Sequence, residues 1–293
     1  MRTIPPTVFI RDTSSLGEGP FWFEDRFWWL DIDAKTIFSA NEKGEDHRSI
    51  VVGQKIGCAV PCEDRRHFIV GLEEGIASLD RETGEVVVRA RPESDRPSSR
   101  FNDGKCDPAG RFLAGTLDME GACETSALYC FENGSTRPLF GGVTCSNGLA
   151  WSADARTLYY IDSPTKKIVA FAYDLTTGTL SEPRTVVTIP ELSGIPDGMT
   201  IDQDDNLWVA HWGGAIVRCY SPLTGGILAE IPTPASRPTS CCFGGPDLGT
   251  LYITSAGSYG DEADLAKYPL SGAVFSCRPG PTGFPTRLCA EKF

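Results

Sequence analysis

A glycine preceded by an oxygen-bearing side chain recurs along this chain at near-regular intervals. That recurrence constrains the fold more than any other feature. The steps are Glu18-Gly19, Asp103-Gly104, Asn147-Gly148 and Asp197-Gly198, with Ile56-Gly57 a further copy that lacks the polar residue. After each glycine comes a short strand-like run, a turn and a second, more hydrophobic run. In the first copy these are Gly19-Pro20-Phe21-Trp22, residues 26–32, and then Thr36-Ile37-Phe38-Ser39-Ala40. A sixth, more degenerate copy spans residues 238–276. A period of roughly 40–50 residues with about four strands per unit is the signature of a β-propeller. The chain is therefore expected to be all-β: one six-bladed β-propeller domain over residues 1–293, with four-stranded antiparallel blades. Thr7-Val8-Phe9-Ile10 is expected to complete the last blade and close the ring. The one helical signal, residues 261–267, is stopped by Pro269.

Composition agrees with many tight turns around a packed core. Hydrophobic residues make up 41% and charged residues 23%, and the 31 Gly and 21 Pro are spread along the chain. With 27 basic and 39 acidic residues the net charge is −12. This argues against nucleic acid or an anionic membrane as partner and suits cation sites. No apolar run reaches 18 residues, so no membrane span is expected, and the N-terminus lacks the apolar core of a signal peptide. The eleven cysteines follow no CxxC pairing, and Cys58, Cys106, Cys130, Cys219, Cys241 and Cys277 fall in apolar runs. Buried free thiols in a reducing cytoplasm are the expectation. His47, His67 and His211 have no zinc-ligand spacing with a cysteine pair.

In a propeller the innermost strand of each blade lines the axial channel, so repeat-equivalent residues meet there. Glu18, Asn147 and Asp197 would come from blades one, four and five. Two carboxylates and an amide form an oxygen-only set suited to Ca²⁺, Mg²⁺ or Mn²⁺. Each Asx-Gly step taken singly also reads as an ordinary turn. Trp22, Trp28, Trp29 and Trp151 are expected between blades. His211 reads as a satisfied structural histidine or a proton relay, and Trp212 as packing or a sugar-stacking platform. Asp162 and Ser163 are secondary candidates for the pocket rim.

Several runs resemble the SMP-30/gluconolactonase/LRE family. They include Leu16-Gly17-Glu18-Gly19-Pro20, Arg100-Phe101-Asn102-Asp103-Gly104-Lys105, Ser146-Asn147-Gly148-Leu149-Ala150-Trp151 and Pro196-Asp197-Gly198-Met199. The resemblance continues through Phe243-Gly244-Gly245-Pro246-Asp247-Leu248 and spans nearly the whole chain. It implies a six-bladed propeller with one divalent cation in the central channel (Ca, Zn, Mn, Mg and Fe all being admissible) and, for bacterial members, mostly sugar lactonase activity. Carried over by motif, the metal ligands are Glu18, Asn147 and Asp197, and the substrate contacts are Arg100, Asn102 and Glu120. The loop after Thr116 departs from the family's run, which makes Asp118 a rival to Glu120. Ile56 offers no ligand. The implied reaction is hydrolysis of an aldonolactone such as glucono-, xylono- or arabinonolactone. Asp197 is either the general base or a ligand only. The expected partner is a small-molecule sugar lactone, with no obligate protein partner. Hydrolysis of other esters or phosphotriesters, or non-catalytic ligand binding, are the alternatives.

Overall fold

Each of the six innermost strands carries the same irregularity at the same place. In the computed structural model, which describes residues 2–293, these strands are Gly17–Phe23, Ile56–Pro61, Ser99–Cys106, Ser146–Trp151, Ile195–Ile201 and Pro238–Gly244. Pairing with the second strand of the blade slips between Glu18 and Phe21, Ile56 and Cys58, Phe101 and Gly104, Ser146 and Leu149, Pro196 and Met199, and Pro238 and Cys241. A bulge bends a strand and re-aims its side chains. Here it turns the polar-glycine step toward the axis. The glycine follows from crowding: a Cβ on Gly198 would stand 2.1 Å from Ser240 Oγ, and one on Gly148 would stand 2.6 Å from Met199 Cβ.

Around these strands the chain forms six antiparallel sheets in a ring, each running outward from its innermost strand. Every innermost strand packs against the next, and that of blade six against that of blade one. Thr7–Ile10 pairs antiparallel with Val274–Cys277 and supplies the outermost strand of blade six, so the two ends of the chain share one blade. Arg2–Thr3 adds a short parallel strand outside Ile227–Pro232, giving blade five a fifth strand that its two residues could not announce. The helical signal is realised as Glu262–Lys267, capped by the Asp261 side chain. Among the described residues no helix is long and apolar enough to cross a membrane.

Between blades the aromatic residues of alternate strand positions interleave. Trp22, Phe27 and Trp29 pack with Tyr252 of blade six, and Trp28 packs with Phe68 of blade two. Trp151 joins Leu113 and Leu128 of blade three. The expected inter-blade role of these tryptophans is thus observed. All eleven cysteines are free thiols, and all but Cys123 and Cys145 are buried.

After the last strand the chain crosses the lower face. Gly283 N–H donates to Leu248 O at 2.9 Å, Thr286 Oγ1 to Trp22 O at 2.8 Å, Cys289 N–H to Pro61 O at 2.9 Å and Ala290 N–H to Gly110 O at 3.0 Å. This strap ties blade six to blades one, two and three and closes that end of the channel.

Candidate functional site

The loops that lead into the innermost strands are pinned by aspartates at the ends of the second strands. Asp31 accepts the Ser15 N–H at 2.7 Å and the Leu16 N–H at 3.2 Å. Asp118 accepts the Ser98 hydroxyl at 2.6 Å, and Asp162 accepts the Cys145 N–H at 2.9 Å. Each clamp lies two or three residues before a candidate functional group: Glu18, Arg100 and Asn147. A carboxylate accepting backbone N–H groups costs little to hold in place and fixes the chain direction. Asp118 and Asp162 therefore serve the scaffold of the site.

Glu18, Asn147 and Asp197 arrive on three different blades, and Asn147 and Asp197 are nearly inaccessible, at 4% and 8% exposure. Asn147 Nδ2 donates to Ser163 Oγ at 3.1 Å, and Ser163 donates onward to Pro196 O at 2.7 Å. That relay uses one of the two amide N–H groups and fixes the amide plane, with the other N–H facing Asp197. Ser163 is thus the group that orients Asn147. Glu18 Oε2 accepts its neighbour Gly19 N–H at 2.8 Å.

The electrostatics of the cluster are those of negative charge held without enough positive charge. Burial, then the nearby Asp197 and Asp103 carboxylates, push Glu18 well above the usual carboxylate range. Burial likewise pushes Asp197 up, against the lowering effect of the Asn147 amide. Asp103 is raised by burial, and its Oδ2 is buried without a hydrogen-bond partner. Buried carboxylates arranged in this way fit a hard cation, which would compensate the charge and satisfy the orphaned oxygens. Among the described residues no three His, Cys, Asp or Glu side chains are arranged to hold an ion by themselves. A site built on Glu18 and Asp197 thus depends on the Asn147 amide as its third donor.

Arg100 is 8% exposed and, among the described residues, makes no ion pair. Its Nη1 donates to Phe101 O and to Asn102 Oδ1, both at 2.9 Å, and Asn102 Nδ2 donates to Ser146 O at 2.8 Å. The Arg-x-Asn pair is therefore one hydrogen-bonded unit beside the Asn147 strand. Burial lowers the Arg100 pKa, while Cys145, Glu18, Tyr259 and Asp33 support its charge. Tyr259, whose hydroxyl donates to Asp33 at 2.8 Å, and Lys55, 3.1 Å from Asp33, extend the polar rim on this side. Sequence reasoning missed both, because they sit on loops outside the repeat. Glu120 stands in the exposed turn that Asp118 caps, at the same end of blade three as Arg100, and no hydrogen bond joins its side chain to the cluster.

His211 is fully buried, with Nδ1 2.9 Å from Ser193 O and Nε2 3.1 Å from the Tyr220 hydroxyl. Burial holds its pKa down to about 4, so it is a neutral, fully partnered structural residue. Trp212 packs edge-on against Tyr259 with Arg237 over its ring.

Below the bulges lies a separate axial cavity of about 140 Å³. The lower halves of the innermost strands line it, with Asp103, Lys105 and Cys58 among them, and the strap residues Phe284 and Arg287 form its floor. Glu18, Asn147, Asp197, Arg100 and Asn102 do not line it.

Residues 16–257 match the model of the SMP-30/Gluconolactonase/LRE-like region. The chain belongs to this family. Among curated relatives it is 36% identical to regucalcin of Xenopus laevis over 283 residues, covering 94% of each chain. It is also 36% identical over 266 residues to the putative sugar lactone lactonase YvrE of Bacillus subtilis, covering 90% of this chain and 91% of that one. Among solved structures, a luciferin-regenerating enzyme superposes with a TM-score of 0.91 at 29% identity, over 98% of this chain and all of the other.

Proposed function

We propose that this protein hydrolyses a sugar lactone of the aldonolactone class, glucono-, xylono- or arabinonolactone being candidates, with one divalent cation held by Glu18, Asn147 and Asp197. The observation that carries the reading is the meeting of the buried Asp197, the half-buried Glu18 and an oriented amide with a buried Arg100 that has no carboxylate of its own. The family and the name of the Bacillus relative support the same reading. When bound, such a cation polarises a carbonyl and lowers the pKa of adjacent water.

The protein's own groups then divide the work. Arg100 donates through its planar fork to the lactone oxygens. Asn102, locked to Arg100 and Ser146, meets the sugar hydroxyls. Glu120 accepts from an outer hydroxyl at the rim. Asp197 accepts a proton from water as the water oxygen bonds to the carbonyl carbon. It returns that proton to the ring oxygen as the ring C–O bond breaks, releasing the aldonic acid. The buried free thiols fit a reducing compartment such as the cytoplasm.

The test is a panel of aldonolactones assayed with EDTA-treated protein and single divalent cations added back. Turnover restored by a cation supports the reading; turnover unaffected by EDTA, or absent with every lactone and cation, overturns it. A second reading has its own observation. Met119, Leu192, Ile195 and Tyr259 are exposed at the Arg100 end of the blades. These favour a less polar lactone or ester, and aliphatic lactones in the same panel distinguish the two.

A further inference from the structure

Asp103 is the repeat-equivalent of Glu18, Asn147 and Asp197, and the reading above gives it no role. It occupies the same step of the same bulge, directly before Gly104 in the innermost strand of blade three. It is 8% exposed, its Oδ1 accepts the Gly104 N–H at 2.7 Å, and its Oδ2 is buried with no partner. An unpaired buried carboxylate is strongly destabilising and is not retained by packing alone. The nearest cation in sequence, Lys105, supports its charge from a distance but does not pair with it. Lys105 Nζ donates instead to Leu149 O at 2.9 Å and to Met199 O, bridging blades four and five. Among the described residues no ion pair joins Lys105 to Asp103.

Asp103 also has a different outlook from its three equivalents. It lines the 140 Å³ axial cavity, which they do not. A space of that size admits a few waters, each taking about 30 Å³. Its charge nevertheless reaches upward, since it acts on both Glu18 and Asp197.

We infer that Asp103 is a third carboxylate of the ion well, acting from the cavity side through its charge and an intervening water instead of as a direct ligand. This rests on the cation reading given above. The absence of a self-sufficient three-carboxylate group fits an outer position. A well of three negative charges in place of two holds a divalent ion more tightly and leaves the empty protein more strained.

The test compares the parent protein with Asp103→Asn, which keeps the acceptor for Gly104 and removes the charge, and with Asp103→Ser as a second variant. Calorimetric titration of EDTA-treated protein with CaCl₂ and with MnCl₂ is expected to show affinity weakened about tenfold or more. The EDTA-treated variant is expected to melt roughly 2–4 °C higher than the parent, because a repelling charge is gone. Its cation-induced rise in Tm is expected to be smaller. A merely structural aspartate would lower the melting temperature and leave ion affinity alone. Affinity within twofold of a parent that does bind ions overturns this inference. A parent that binds no divalent ion overturns the cation reading itself, and this inference with it.

Discussion

Blades two and five are built on the same backbone and carry opposite contents. Both innermost strands slip register at the same step, and both place a glycine against the next strand of the hub. A Cβ on Gly57 would lie 2.3 Å from Phe101 O, and one on Gly198 would lie 2.1 Å from Ser240 Oγ. Before the glycine, blade five has the buried Asp197, whereas blade two has Ile56, fully buried in an apolar cluster with Leu30 and Leu72. The glycine therefore answers to the crowding of six strands around one axis. The oxygen-bearing residue answers to the chemistry of the hub, and a blade can lack it without losing its shape.

Four experiments press on that division. Asp197→Ala or Glu18→Ala is expected to lower kcat/KM on a lactone substrate by about 10³ or more, roughly 4 kcal/mol of transition-state stabilisation, with the far-UV circular dichroism of the parent. Parent-like turnover would place the chemistry elsewhere. Gly57→Ala, in the blade with no polar residue, is expected to cost about 3 kcal/mol of stability, because the facing atom is backbone and cannot step aside. A neutral result by urea denaturation would separate the glycine from hub packing.

Ser163→Ala releases the Asn147 amide without touching either carboxylate. Divalent-ion affinity is expected to fall about tenfold, as for the loss of a group that orients a ligand. Calorimetry checks it, and unchanged affinity would show that Asn147 needs no orientation. Ile56→Val is the mildest. It should cost about 1 kcal/mol and leave kcat and KM alone, and a change in catalysis would mean that blade two does contribute to the site.

Much of this architecture was legible beforehand because a propeller repeats its sequence as well as its shape. The glycine steps gave blade number and order, and the strand at Thr7–Ile10 was recognisable as unpaired at its own end of the chain. The repeat also singled out Glu18, Asn147 and Asp197. It offers Asp103 by the same signal, within a run where Arg100 and Asn102 carry the substrate-contact pattern. Asp162 and Ser163 are legible as rim candidates, and what the structure adds is that both hold the loops and the amide behind it. A side chain at a strand end has equal access in sequence to the pocket and to the loop behind it. The strap after the last blade carries Pro281 and Pro285 and no alternating pattern, so its path across the lower face had no local signature.

What the amino-acid order settled alone was the period, the six-blade ring and the kind of atom offered at each hub position, since these depend on residues near one another in the chain. Tertiary structure decided which of those atoms come close enough to act on one another, that Arg100 is buried without a carboxylate partner, and that Asp103 faces the cavity below. Such outcomes depend on electrostatic and packing distances between blades that are tens to hundreds of residues apart. No local pattern encodes those distances; closing the ring sets them all at once.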